Sequence, residues 1–114
     1  MNALSQYNHL CYFSAIDAAR DELARRIREF FSAAVQPRLA GVFSECVVDF
    51  AIVGETVWVI EINPFLVTTD GCLFNWDTDR PILEHGPFTL RVVGSPPAGA
   101  TTMLAPEWRA LLAL

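Results

Sequence analysis

The stretch Val47-Val48-Asp49-Phe50-Ala51-Ile52-Val53-Gly54-Glu55-Thr56-Val57-Trp58-Val59-Ile60-Glu61-Ile62-Asn63-Pro64 decides how this chain is read. It consists of two runs of β-branched and aromatic residues around a glycine-bearing turn, the pattern of a β-hairpin. Asp49, Glu61 and Asn63 interrupt it with oxygen-bearing side chains where core packing alone would place apolar ones. A period of two puts Glu61 and Asn63 on one face with Val57 and Val59, and Asp49 on the face of Val47 and Ala51. Whether the three meet depends on the turn. A two-residue Gly54-Glu55 loop pairs Val53 with Thr56 and sets Asp49 opposite Ile60, off the face of Glu61. A three-residue loop ending at Thr56, or a bulge with the same effect, sets Asp49 directly opposite Glu61. Two carboxylates would then face each other at about 5 Å between Cβ atoms, an arrangement that repels unless a cation lies between them. With the Asn63 amide one step along, this is a hard oxygen set of the kind Mg²⁺ takes. Against it stands the simpler reading that these are the polar residues of a half-wet sheet.

Outward from the hairpin, Ile16, Ala19, Leu23, Ile27, Phe30, Phe31 and Ala34 recur with a helical period, and Ser14 three residues before Asp17 has the form of a capping box. A helix is expected from Ile16 to Ala34, closed by Pro37 and Gly41, with Asp21–Arg25 and Glu22–Arg26 as i,i+4 pairs on its wet side. Leu10–Phe13 reads as a short strand before it, and the first hairpin strand as Val42–Val53. Beyond Pro64, Asp70 can cap a short helix over Cys72–Trp76. Asp77–Pro81 reads as a loop whose two acids lack the glycine and glutamate of a calcium loop. Phe88–Val93 reads as a third strand. A Pro/Gly-rich tail, 94–114, ends in a helical turn opened by Pro106 and carrying Trp108, Leu111 and Leu112. The fold class is therefore α+β, an antiparallel sheet backed by one long helix.

The chain has 114 residues, enough for one domain with a modest core. All 8 cations are arginine against 13 acids, for a net charge of -5, which excludes a broad nucleic-acid-binding face. The cluster Arg20, Arg25, Arg26 and Arg28 shares its segment with four acids and reads as a solvated helix face. A hydrophobic content of 53% and mean hydropathy of +0.32 are high for a chain this short, and imply that a partner, a second copy or a further lobe covers apolar surface. Cys11, Cys46 and Cys72 have no metal-type spacing and no even count for disulfides, so reduced thiols are expected. His9 reads as a hydrogen-bonded structural residue. With no signal peptide at the start and no apolar run of about 18 residues, the expectation is a cytoplasmic protein that does not meet the membrane.

The hairpin, VVDF followed by IEINP, resembles the metal-binding end of ATP-grasp proteins. In order, LSQYNHLCYF, a helix, VVDF, IEINPF, TDGCLFNWD and FTLRVV resemble the C-terminal half of the cell division cycle protein 123 family, over Leu4 to Val93. That resemblance implies an ATP-grasp-like lobe, residues 1–93, with Asp49, Glu61 and Asn63 as ligands of Mg²⁺ and, through it, ATP. Glu61 stands where the family usually has aspartate, though it agrees with ATP-grasp enzymes in general. It further implies an assembly chaperone for translation initiation factor 2 in eukaryotes. The family's N-terminal lobe, with its phosphate-contacting lysines, has no counterpart in these residues. A carboxylate-amine ligase lobe is a second reading, but such ligases carry an arginine two residues before the first aspartate, where Val47 stands. A non-catalytic interaction or dimerisation module is the third.

Overall fold

A computed structural model describes residues 1–99 and 105–112. The elements run β1 (Ala3–Ser5), α1 (Ser14–Phe30), a π-helical turn (Phe31–Val35), α2 (Gln36–Leu39), β2 (Val47–Val53), β3 (Thr56–Asn63), α3 (Arg80–His85), β4 (Thr89–Arg91) and α4 (Pro106–Leu112). The α+β class holds, with a small antiparallel sheet and a helix against it. The strands form two separate two-stranded sheets rather than one: β2 pairs antiparallel with β3, while β1 pairs parallel with β4.

Helix α1 buries Ala24 and Ile27, and the edge of the Phe30 ring meets the Phe50 ring at 6.3 Å between centroids. That aromatic contact and the Arg26 guanidinium, which donates to the Gly54 carbonyl at 2.8 Å, tie the helix to the hairpin and its turn. Several local expectations differ. Phe13 is the N-cap and makes no side-chain cap bond, so Ser14 does not form the capping box. Arg25 pairs with Glu22 at 2.6 Å and Glu29 at 2.7 Å instead of Asp21, because Arg26 is already engaged at the turn and Glu22 is free to close on Arg25.

Pro37 does not end the helix. The hydrogen-bond spacing widens to the π form just ahead of it, leaving room for the ring, and the helix resumes with Pro37 in its first turn. The Arg38 guanidinium donates to the Ala34 carbonyl at 2.8 Å within this segment. The chain leaves helical geometry at Ala40, and Gly41 takes the positive φ of 84° that a side chain would resist. In consequence β2 starts at Val47 rather than Val42.

Leu10–Phe13 is a loop rather than a strand, since the β pairing is taken by Ala3–Ser5. Cys72–Trp76 forms turns, and the helix lies later, at Arg80–His85, with Pro81 in its first turn where a missing N–H costs nothing. The Phe88–Val93 strand is present as Thr89–Arg91, and the tail helix as Pro106–Leu112. No helix among the described residues is long and apolar enough to cross a membrane.

Gln6, buried at the end of β1, joins this parallel pair to what surrounds it. Its amide nitrogen donates to the Asn8 and Cys11 carbonyls at 2.6 and 2.7 Å, and its oxygen accepts from the Val93 N–H at 3.1 Å. Arg91 closes the other side. It donates to both Asp79 carboxylate oxygens, at 2.6 and 2.9 Å, and to the Leu73 carbonyl at 3.1 Å, and it lies 4.2 Å over the Phe74 ring.

Candidate functional site

The hairpin uses the two-residue turn, with Val53 paired to Thr56 and Gly54 at φ 59°. Alone, that turn would put Asp49 opposite Ile60. The register instead runs Phe50 to Val59 and Asp49 to Glu61, so Ile60 is the extra residue of a β-bulge in β3. Past it, Asp49 pairs with Glu61 and Val47 with Asn63. All three polar residues thus share one face. The bulge also changes their company, because Trp58 and Thr56, partners of Ala51 and Val53, share this face, while Val57 and Val59 lie on the face that includes Phe50.

Side-chain contacts follow from this register. The Asn63 amide nitrogen lies 3.3 Å from Asp49 Oδ2 and 3.3 Å from Glu61 Oε1, donating to both acids. Asp49 is half-buried. Burial pushes its carboxyl above the ordinary aspartate range, the hydrogen bond and charge of Glu61 push it further, and the Asn63 amide acts the other way. Two acids and an amide therefore stand where a positive charge would relieve the strain between them.

A cavity of about 790 Å³ opens beside the hairpin, between the β1 end, the helix end and the loop after Pro64. Asp49 lines it together with Ser5, Tyr7, Asp70 and Cys72, whereas Glu61 and Asn63 are not among its walls. Its remaining lining is largely aromatic and aliphatic.

The loop between β3 and α3 is held by its own bonds. Thr69 donates through its hydroxyl to the Pro64 carbonyl at 2.7 Å, and the Trp76 indole N–H to the Thr69 carbonyl at 2.7 Å. The Phe65 and Trp76 rings meet edge-on at 4.9 Å. Asp70 caps a turn rather than a helix, its Oδ1 accepting from the Cys72 N–H at 2.8 Å. This loop brings Asp70 and Cys72 to His9, in the loop after β1. By its sequence context His9 is expected to be a hydrogen-bonded structural residue. The Nδ1 contact of 3.3 Å to the Tyr7 carbonyl agrees, but its two neighbours were not visible in a spacing pattern, since they arrive from the far side of the hairpin. Asp77 and Asp79 form no joint site, because Asp79 is engaged by Arg91, which holds its carboxyl below the ordinary range.

Compared with known families, the chain matches the D123 family model over residues 1–105. No solved structure matches it.

Proposed function

The chain belongs to the D123 family, the cell division cycle protein 123 family, and on that premise we propose that it binds Mg²⁺-ATP through Asp49, Glu61 and Asn63. One observation carries the reading: a β-bulge at Ile60 brings Asp49 opposite Glu61 despite a turn that would separate them. Bulges of this kind re-aim side chains, and here the re-aimed pair is like-charged, an arrangement that a cation makes favourable. Half a turn of the Asn63 amide exchanges its nitrogen for its oxygen, giving three oxygen donors of the class Mg²⁺ prefers. Mg²⁺ bound there would neutralise phosphate charge and leave coordination positions for water and nucleotide oxygens. The family resemblance supports an assembly-factor role, the chaperoning of translation initiation factor 2, with the remaining phosphate and adenine contacts made by a lobe outside these residues.

Ligase chemistry is the weaker reading. Val47 lies across from Asn63, at the place where such ligases carry an arginine to steady the transferred phosphoryl group, and it offers no charge.

Titration calorimetry of the 114-residue chain with ATP, with and without Mg²⁺, tests the proposal. The expected result is Mg²⁺-dependent binding that Asp49→Asn weakens at least tenfold. Binding that ignores Mg²⁺, or that survives Asp49→Asn and Glu61→Gln, sinks it.

A further inference from the structure

Beside the hard oxygen set on the hairpin lies a second cluster of different chemistry. One nitrogen of His9, one carboxylate oxygen of Asp70 and the Cys72 thiol sulfur lie within 4.8 Å of one another. A tetrahedral zinc site, with bonds of about 2.0 Å to nitrogen and about 2.3 Å to sulfur, places its ligand atoms about 3.5 Å apart. The three groups are thus about an ångström from closing on a shared ion, a distance side-chain rotation covers.

The chemistry of the set is specific. Imidazole is a borderline donor and thiolate a soft one, which Mg²⁺ disfavours and Zn²⁺ takes, and Zn²⁺ also accepts a single carboxylate beside them. The surroundings of each donor suit the task. Asp70 spends Oδ1 on the Cys72 N–H and keeps Oδ2. The Tyr7 carbonyl can only accept, so its 3.3 Å contact puts the His9 proton on Nδ1 and the lone pair on Nε2, the arrangement by which metal-bound histidines are oriented. Gln6 fixes the turn that carries His9 through its bonds to the Asn8 and Cys11 carbonyls. Cys72 is held at φ 55°, a left-handed conformation that a side chain resists. Cys72 is also half-buried, in the wall of the cavity.

We propose that His9, Asp70 and Cys72 form a Zn²⁺-class transition-metal site on the wall of the cavity next to the hairpin, with three protein ligands and one open position. Cys72 and Asp70 both line that cavity, so the open position is reachable by a water or by a small ligand donor. The site does not depend on nucleotide binding, and its loss would leave the Mg²⁺-ATP reading standing.

The test uses the reduced full chain, Zn²⁺ alone in competition with a chromophoric chelator, and Co²⁺ as an optical probe. The expected result is one Zn²⁺ per chain, weakened at least tenfold by Cys72→Ser and by His9→Gln, and unchanged by Cys11→Ser and by Glu61→Gln. The Co²⁺ form of the unaltered chain should show a thiolate-to-metal charge-transfer band that Cys72→Ser removes. Absence of that band in the unaltered chain overturns the proposal even if a loop variant fails to fold. So does Zn²⁺ uptake that ignores both Cys72→Ser and His9→Gln, or uptake that Glu61→Gln abolishes, which would place the ion on the hairpin.

Discussion

At the scale of single residues, the candidate site is a place where the fold accepts a cost. Asp49 has its carboxyl raised first by burial and then by Glu61. A group whose folded pKa is raised favours the fold below its unfolded value and loses that contribution as pH rises through the folded value. At neutral pH the Asp49–Glu61 pair therefore weighs against folding. Glu61→Gln removes the like charge, and the apo protein should gain a few tenths to about 1 kcal/mol, the scale of a directly opposed cross-strand pair. Denaturant titration at pH 7 and again at pH 4 checks this, with the gain shrinking at the lower pH. A gain at pH 7 together with lost Mg²⁺-dependent binding is the signature of a site maintained for function rather than stability. Asp79 supplies the opposite sign. Arg91 lowers its carboxyl through two hydrogen bonds, so this contribution is present above the ordinary aspartate pKa of about 3.9 and is lost as pH falls through the folded value. Arg91→Leu should melt below the unaltered chain at pH 7, and the two melting curves should converge as the pH is lowered past that range. Curves that stay equally far apart at every pH would mean Arg91 acts through its Leu73 and Phe74 contacts instead.

At the scale of elements, the bulge is the decisive feature. Deleting Ile60 leaves the Val53–Thr56 turn intact and removes the bulge, and regular alternation alone then places Glu61 opposite Asp49 and Asn63 opposite Val47. The hairpin should still form, as far-ultraviolet circular dichroism would report, and Mg²⁺-dependent nucleotide binding should be kept within about threefold. Lost binding with the hairpin intact would show that the local twist at the bulge, and not the shared face alone, makes the site. Much of this was legible in sequence. The two apolar runs and their turn announce the hairpin, and the helical period announces α1. The choice between turns was not, because a bulge is set by how β3 lies against β2 and α1, with no marker at Ile60 itself. The parallel pair β1–β4 was hidden for another reason: it joins Ala3–Ser5 to Thr89–Arg91, strands too short to show a period and too far apart to signal each other. The continuation through Pro37 depends on a π turn that local propensity does not foretell. His9 met Asp70 and Cys72 only through those same long-range pairings.

At the scale of the whole molecule, the high hydrophobic content is not matched by a large core. Among the described apolar residues only Ala24, Ile27, Val35 and Phe74 are buried, and the radius of gyration is 16.2 Å against about 13 Å for a compact chain of this length. Much of the excess lies on the hairpin, where Val53 is 66% exposed, Trp58 55% and Ile60 62%. Val53 and Trp58 share the face of Asp49 and Glu61, nearer the turn. A second copy of the chain covering this face would account for both the composition and the exposed tryptophan. In a two-fold interface each contact occurs twice. With about half of Trp58 left to bury, out of roughly 3 kcal/mol for a large apolar side chain, Trp58→Ala removes about 3 kcal/mol from the pair and weakens association roughly a hundredfold. Sedimentation equilibrium over a concentration series should show a dimer for the unaltered chain and a monomer for Trp58→Ala at the same concentrations. Because the apolar and acidic ends of the face are continuous, Mg²⁺-ATP should shift that equilibrium if both uses are real. A dimer that Mg²⁺-ATP leaves unchanged would separate the two ends of the hairpin into independent surfaces, and a chain monomeric at every concentration would assign Trp58 to some other partner.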